Sequence, residues 1–179
     1  MSESLRFIYH LFEEDYLIFQ LFSGSKSELI EKKKRNEWML LWFLPLVFGL
    51  YNLTNSNVWL GIYFFVIGLL TALFYKKYFN YRYKKRYQKI IRMSYKDSFG
   101  AEDVLELTQN HLIVKNTTGQ GEVEFSEIEA VNEISTHLFI KLKSGSSLIL
   151  PKKEVDTEKL KEVLTMQSIN IKEELDWKW

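Results

Sequence analysis

Between residues 38 and 75 the chain carries no charged side chain, and two apolar runs, WMLLWFLPLVFGLYNL and VWLGIYFFVIGLLTALFY, are parted only by TNSN. No other stretch restricts the fold as much. The runs have 16 and 18 residues, so as helices they are ~24 and ~27 Å long, a little under the ~30 Å hydrocarbon core of a bilayer. Lipid satisfies no backbone polar group, so each span must be a helix, and a four-residue polar link between spans makes a helical hairpin. A hairpin buried in a water-soluble core is the competing reading of runs this short. Against it, no carboxylate occurs from residue 38 to residue 96, whereas water-soluble helices keep a charged face. Trp38, Trp42, Trp59 and Tyr75 stand near the run ends, where amphipathic rings settle at the headgroup level. Pro45 and Gly49 inside the first run are better tolerated in membrane helices than in soluble ones.

Charge sets the orientation. Lys32, Lys33, Lys34 and Arg35 precede the first run, Lys76, Lys77, Arg82, Lys84, Lys85, Arg86, Lys89 and Arg92 follow the second, and TNSN has none. The positive-inside rule then puts both termini in the cytoplasm, as expected of a two-span protein of the cell inner membrane. A formal net charge of +1 conceals an asymmetry: residues 38–96 carry +9 and residues 97–179 carry −7. Without cysteine there is no disulfide framework, thiolate metal site or cysteine nucleophile. The N-terminus lacks the basic-then-apolar order of a cleaved signal peptide, so the hairpin itself is expected to direct insertion.

Three regions follow from this. Residues 1–37 read as a strand over 5–11 and a helix opened by Glu13, Glu14 and Asp15, acids that suit a helix N-terminus. Residues 38–96 hold the spans, about 38–53 and 58–75, and a basic juxtamembrane helix. Residues 97–179 change to period 2: AEDVLELT, HLIVKN, GEVEFS, EIEAVNEI, HLFIKLK and SLILP are separated by polar turns, the pattern of an antiparallel meander. In HLFIKLK, Leu138, Ile140 and Leu142 alternate with Phe139, Lys141 and Lys143, which predicts one buried and one mostly wet face. Asp156 is placed to cap a helix whose apolar face is Leu160, Val163 and Leu164. The whole reads as an α+β membrane protein, a transmembrane helical hairpin plus an antiparallel PH-like β-barrel or sheet with a C-terminal helix. With both ends on one side, the strand at 5–11 is free to join that sheet, and the tail after 168 to cross it or meet the membrane.

The order of pieces is also familiar. An N-terminal strand, EEDYL at 13–17, the hairpin, a basic segment, then FSEIEAVNE at 125–133, THLFIKL at 136–142 and LILPKKEV at 148–155 resemble the YcxB-like family, bacterial membrane proteins with a PH-like C-terminal domain. Phe125 stands where such proteins often carry Trp before Ser. The resemblance implies fold and membrane placement more than activity. Related two-span PH-like proteins are linked with resistance to membrane-active peptides, which makes an immunity or envelope-stress role the alternative to a binding module.

Chemistry points away from catalysis. His10, His111 and His137 have no partner at helical metal-ligand spacing and are expected at edges or turns. TGQG at 118–121 lacks the Lys-Ser/Thr of a phosphate loop. Glu122, Glu124, Glu127, Glu129 and Glu133 alternate with apolar residues, as on a solvated strand face. No catalytic residue, metal ligand or cofactor is assigned. The basic residues Lys76, Lys77, Arg82, Lys84, Lys85, Arg86, Lys89 and Arg92, interleaved with tyrosines, read either as a helix leaving the bilayer whose charges only fix topology or as the candidate contact with anionic lipid; with lipid so near, a nucleic acid is not expected. The expected partners are the bilayer and a protein. Gly61, Gly68 and Ala72 make a small-residue stripe open to a homo-oligomer or to packing within the hairpin.

Overall fold

The computed structural model describes residues 5–117 and 119–179, and Thr118 of the TGQG turn lies outside them. Two compact units make up the chain: residues up to Gln20 with 88–178, and residues 21–87 with Trp179.

The first unit is built on strands. β1 (Leu5–His10) pairs antiparallel with β2 (Glu102–Leu107) over six residues, from Leu5 opposite Leu107 to His10 opposite Glu102. β2 pairs with β3 (His111–Asn116), and β3 with β4 (Gly119–Glu124), giving a sheet of order β1-β2-β3-β4. A one-turn 3-10 helix at Phe125–Glu127 interrupts the ladder. β5 (Ile128–Glu133), β6 (His137–Leu142) and β7 (Ser147–Pro151) then form a second antiparallel set. The tail adds β8 (Ile171–Glu173) parallel to β5, with Val131 opposite Ile171, so the order is β7-β6-β5-β8. The early strand therefore does enter a sheet and the tail lies along another. What forms is two open sheets rather than a closed barrel, because β4 and β5 part at the 3-10 turn instead of pairing.

α4 (Thr157–Met166) begins where Asp156 accepts a hydrogen bond from the Lys159 amide at 3.4 Å, satisfying one of the donors a helix start leaves open. Its Leu160 and Leu164 are fully buried. β6 departs from the alternation read in its sequence: His137, Leu138, Phe139, Ile140 and Leu142 are all buried. The second face is covered by α1 (Glu13–Ser25), whose Phe19 ring lies 5.4 Å from that of Phe139. The face of His137 and Phe139 is thus dry as far as the exposed Lys141, closed by a helix from the other end of the chain.

The second unit holds α2 (Glu28–Thr54) and α3 (Val58–Ser94) as far as Tyr87; the two helices are each continuous, ~40 and ~56 Å long. Both are long and apolar enough to cross a membrane, and their most apolar windows are only 11% and 17% buried within the protein. They are not core helices of this fold. Close approach comes from glycine: a Cβ on Gly61 would stand 2.6 Å from Leu53 Cδ2 and 3.2 Å from the Gly49 carbonyl. The small-residue stripe is therefore spent on packing α3 against α2. Pro45 has no N–H for the carbonyl of Leu41, four residues back; the Thr71 hydroxyl of α3 lies 3.2 Å from that oxygen and 2.9 Å from the Gly68 carbonyl.

Candidate functional site

α3 does not stop at residue 75 but continues for 19 more residues to Ser94. Lys76, Lys77, Arg82, Lys84, Lys85, Arg86, Lys89 and Arg92 are all exposed on this extension. Its buried seam recurs every fourth residue: Tyr75, Phe79 and Tyr83 form a cluster with Ile30, Tyr87 and Trp179 packed against it. Phe79 and Tyr83 stack at 4.2 Å, and the Lys34 ammonium stands 5.2 Å over the Phe79 ring.

Helical rise separates the eight cations by depth. At 1.5 Å per residue, Lys76 and Lys77 lie ~2 and ~3 Å beyond Tyr75 along the axis, while Lys89 and Arg92 lie ~21 and ~26 Å beyond it. The Debye length is ~8 Å at physiological salt. Along the axis, one set of basic residues stands at the end of the apolar run and another stands several screening lengths further.

Arg82 bridges this gap through its side chain. In a helix, long side chains lean toward the N-terminus, which for α3 is toward the apolar run. Arg82 Nη1 lies 4.0 Å from Glu37 Oε2, the oxygen that accepts the Tyr75 hydroxyl at 3.0 Å. The guanidinium thus sits near the level of Tyr75 although its Cα is seven residues on. Lys33 Nζ approaches the other Glu37 oxygen at 3.9 Å. Arg92 donates to Glu13 at 2.8 Å. Lys76, Lys77, Lys84, Lys85, Arg86 and Lys89 have no carboxylate within ion-pair distance among the described residues.

The four interface aromatics separate as well. Trp59 is 86% exposed, Trp38 is 37% exposed and donates its indole N–H to the Ala72 carbonyl at 3.2 Å, and Trp42 packs between Trp38 and Phe43. Tyr75 is buried in the seam, with its hydroxyl spent on Glu37.

A second constellation, in the first unit, was not legible in the sequence. Asp15 of α1 is buried and accepts from His137 Nε2 at 3.0 Å and from the Phe12 amide at 2.7 Å. An ionised carboxylate only accepts, so Nε2 carries the proton and Nδ1 faces the Thr136 hydroxyl at 2.8 Å. Burial drives the Asp15 carboxyl up, but the His137 and Phe12 hydrogen bonds and the charge of Lys153 outweigh it and hold it below the ordinary range. Hydroxyl, imidazole and carboxylate stand in the order of a nucleophilic triad. The imidazole, however, is 3% exposed and stacked on Phe139 at 5.7 Å, so it serves as an anchor for α1.

Glu133 is likewise buried, not solvated as its alternation predicts. It accepts from Lys152 and, at 3.1 Å, from Lys161 of α4. Burial again opposes ionisation, and the two lysines overcome it to keep the carboxyl below its usual value. His137 is thus a core residue rather than an edge one, whereas His10 and His111 stay partly open beside Glu154 and Glu122. The available signal was the pairing of two acids with basic residues in TEKLK and LPKK, which spacing alone does not assign.

The chain is thus an α+β protein with two long apolar helices and two open sheets. Residues 107–167, from the end of β2 through α4, match the family model described as YcxB-like protein. The resemblance read from the sequence is shown over that segment. A comparison with curated proteins finds no match.

Proposed function

We propose that this is a membrane-anchored, non-enzymatic module, with α2 and α3 spanning the cell inner membrane, both termini cytoplasmic, and the strand-rich unit acting as a PH-like interaction domain. The observation that carries the reading is the exposed apolar surface of the helices: Leu69, Leu73 and Phe74 are 60% exposed or more, and Trp59 86%. Soluble monomers leave contiguous apolar patches of only a few hundred Å² open to water. In lipid such exposure costs nothing. A four-stranded sheet, the antiparallel β5-β6-β7 set and a closing C-terminal helix, in that chain order, support the PH-like assignment.

Binding by that domain falls to protein surface rather than to anionic lipid, since its −7 charge repels phosphate headgroups. Contact with the membrane surface belongs to the basic residues of α3.

The native chain has no cysteine, so single-cysteine accessibility tests the topology directly. In intact cells Asn55→Cys should react with an impermeant maleimide, and Lys143→Cys only after permeabilisation. Labelling of Lys143→Cys in intact cells would reverse the orientation. Recovery of the chain in the soluble fraction after cell lysis would remove the anchor altogether. Photo-crosslinking from Glu122 and Glu129, both exposed, tests the interaction domain; adducts to one cytoplasmic protein support it, and their complete absence counts against it.

A further inference from the structure

The side of the hairpin where α2 and α3 meet carries an apolar groove of about 600 Å³ lined by Leu41, Leu70, Thr71, Phe74, Tyr75 and Tyr78. Its walls run along the end of the second apolar run and finish at the first basic residues. Lys77 follows Phe74 by three positions, so it stands beside Phe74 at the edge of the groove's helix face. Arg82 follows Tyr78 by four and leans back until its guanidinium meets Glu37 beside Tyr75. Among the described residues Glu37 is the one carboxylate that meets Tyr75 and Arg82 at this mouth, and it is already shared among the Tyr75 hydroxyl, Lys33 and Arg82. Against Lys33, Lys77 and Arg82 it leaves a surplus of two positive charges.

Depth and charge suit one kind of occupant. The headgroup layer of a leaflet is ~5–7 Å thick, and Lys77 at ~3 Å beyond Tyr75, with the Arg82 guanidinium near the same level, falls inside it. We propose that this groove is a site for an anionic glycerophospholipid of the cytoplasmic leaflet, with an acyl chain along Leu41, Leu70 and Phe74 and the phosphate between Lys77 and Arg82. Arginine matches a phosphate with a planar fork of donors, and lysine adds a point charge. Tyr78, 56% exposed, places its ring at the junction of chain and headgroup. Lys84, Arg86 and Lys89 take no part, because the rise of α3 carries them out of the headgroup layer; the Lys85 ammonium is held over the Tyr81 ring at 4.8 Å.

The site rests on the membrane reading above, and the test keeps the two apart. The full chain is reconstituted into nanodiscs of phosphatidylcholine with one third phosphatidylglycerol, and lipids retained on the protein are identified by native mass spectrometry. The expected result is retained phosphatidylglycerol in excess of its bulk share. Lys77→Gln with Arg82→Gln should cut that preference about thirtyfold. Arg86→Gln with Lys89→Gln, the same change of charge further out, should leave it intact, and Leu70→Trp should displace the lipid by filling the groove with no change of charge. Incorporation without lipid preference, or an equal loss in both double variants, overturns the site while leaving the anchor standing. Failure of the wild-type chain to enter nanodiscs overturns the anchor and the site with it.

Discussion

The hydroxyl of Thr71 on α3 reaches the carbonyl of Leu41 on α2, the acceptor that Pro45 leaves without its helical donor. In lipid no water replaces the missing N–H, so a neighbouring helix must supply it. Thr71→Val should therefore weaken the hairpin by about 1 kcal/mol. In a Pro45→Ala background the residue-45 amide returns to Leu41, and the same Thr71→Val change should cost markedly less. Unfolding of the four variants by SDS titration, followed by circular dichroism, gives the coupling. Equal losses in both backgrounds would show that Thr71 acts through the Gly68 carbonyl of its own helix instead.

Gly61 sets how near the helices come. A Cβ there meets Leu53 at 2.6 Å and the Gly49 carbonyl at 3.2 Å; the leucine can turn aside, but the backbone oxygen cannot. Gly61→Val should destabilise the hairpin by about 1–3 kcal/mol. Gly121→Val, where no atom lies within 4 Å, should leave hairpin stability unchanged in the same titration. A homo-oligomer built on the Gly61 face would instead show as a loss of crosslinked dimer with the monomer's unfolding curve unmoved.

The strands were readable because each short run ends in its own turn chemistry: HLIVKN is β3 residue for residue. Asp156 was readable as a cap because capping is local. The failures share a different cause. Phe139, His137 and Glu133 sit on strand faces whose covering residues, Phe19, Asp15 and Lys161, lie between 28 and 122 positions away, and alternation is blind to contacts at that distance. Depth along the basic segment is hidden from composition for a related reason. Composition counts Lys77 and Lys89 alike, while the continuity of α3 places them ~18 Å apart along the axis.

Phe79 tests whether the extension is a packed element or a loose basic arm. It is 1% exposed, stacked on Tyr83 and covered by the Lys34 ammonium. Phe79→Ala should cost about 3–5 kcal/mol locally. Hydrogen exchange read by mass spectrometry should speed up over residues 28–37 and 76–87 while β6 stays protected. Unchanged exchange in both segments would mean that the seam contributes no cohesion.

Asp15 and Glu133 make acid the natural stress on the strand-rich unit. Both carboxyls are held below their ordinary values by partners that outweigh burial, and ordinary values are ~3.9 for Asp and ~4.3 for Glu. A group whose folded pKa is depressed contributes stability that is present above its unfolded pKa and is lost as pH falls through the folded one. Stability should therefore be flat near neutrality and fall below about pH 4, with a slope of up to ~1.4 kcal/mol per pH unit for each group. Asp15→Asn keeps one acceptor for the His137 N–H but presents a donor where the Phe12 amide also donates, so it should cost about 2–3 kcal/mol at pH 7. It also removes one titrating group, so its loss of stability below pH 4 should be shallower than in the wild type. Urea unfolding of the detergent-solubilised chain, followed at pH 7, 5, 4 and 3, measures both effects. Parallel pH profiles for the two proteins would show that the Asp15 carboxylate does not drive the acid transition.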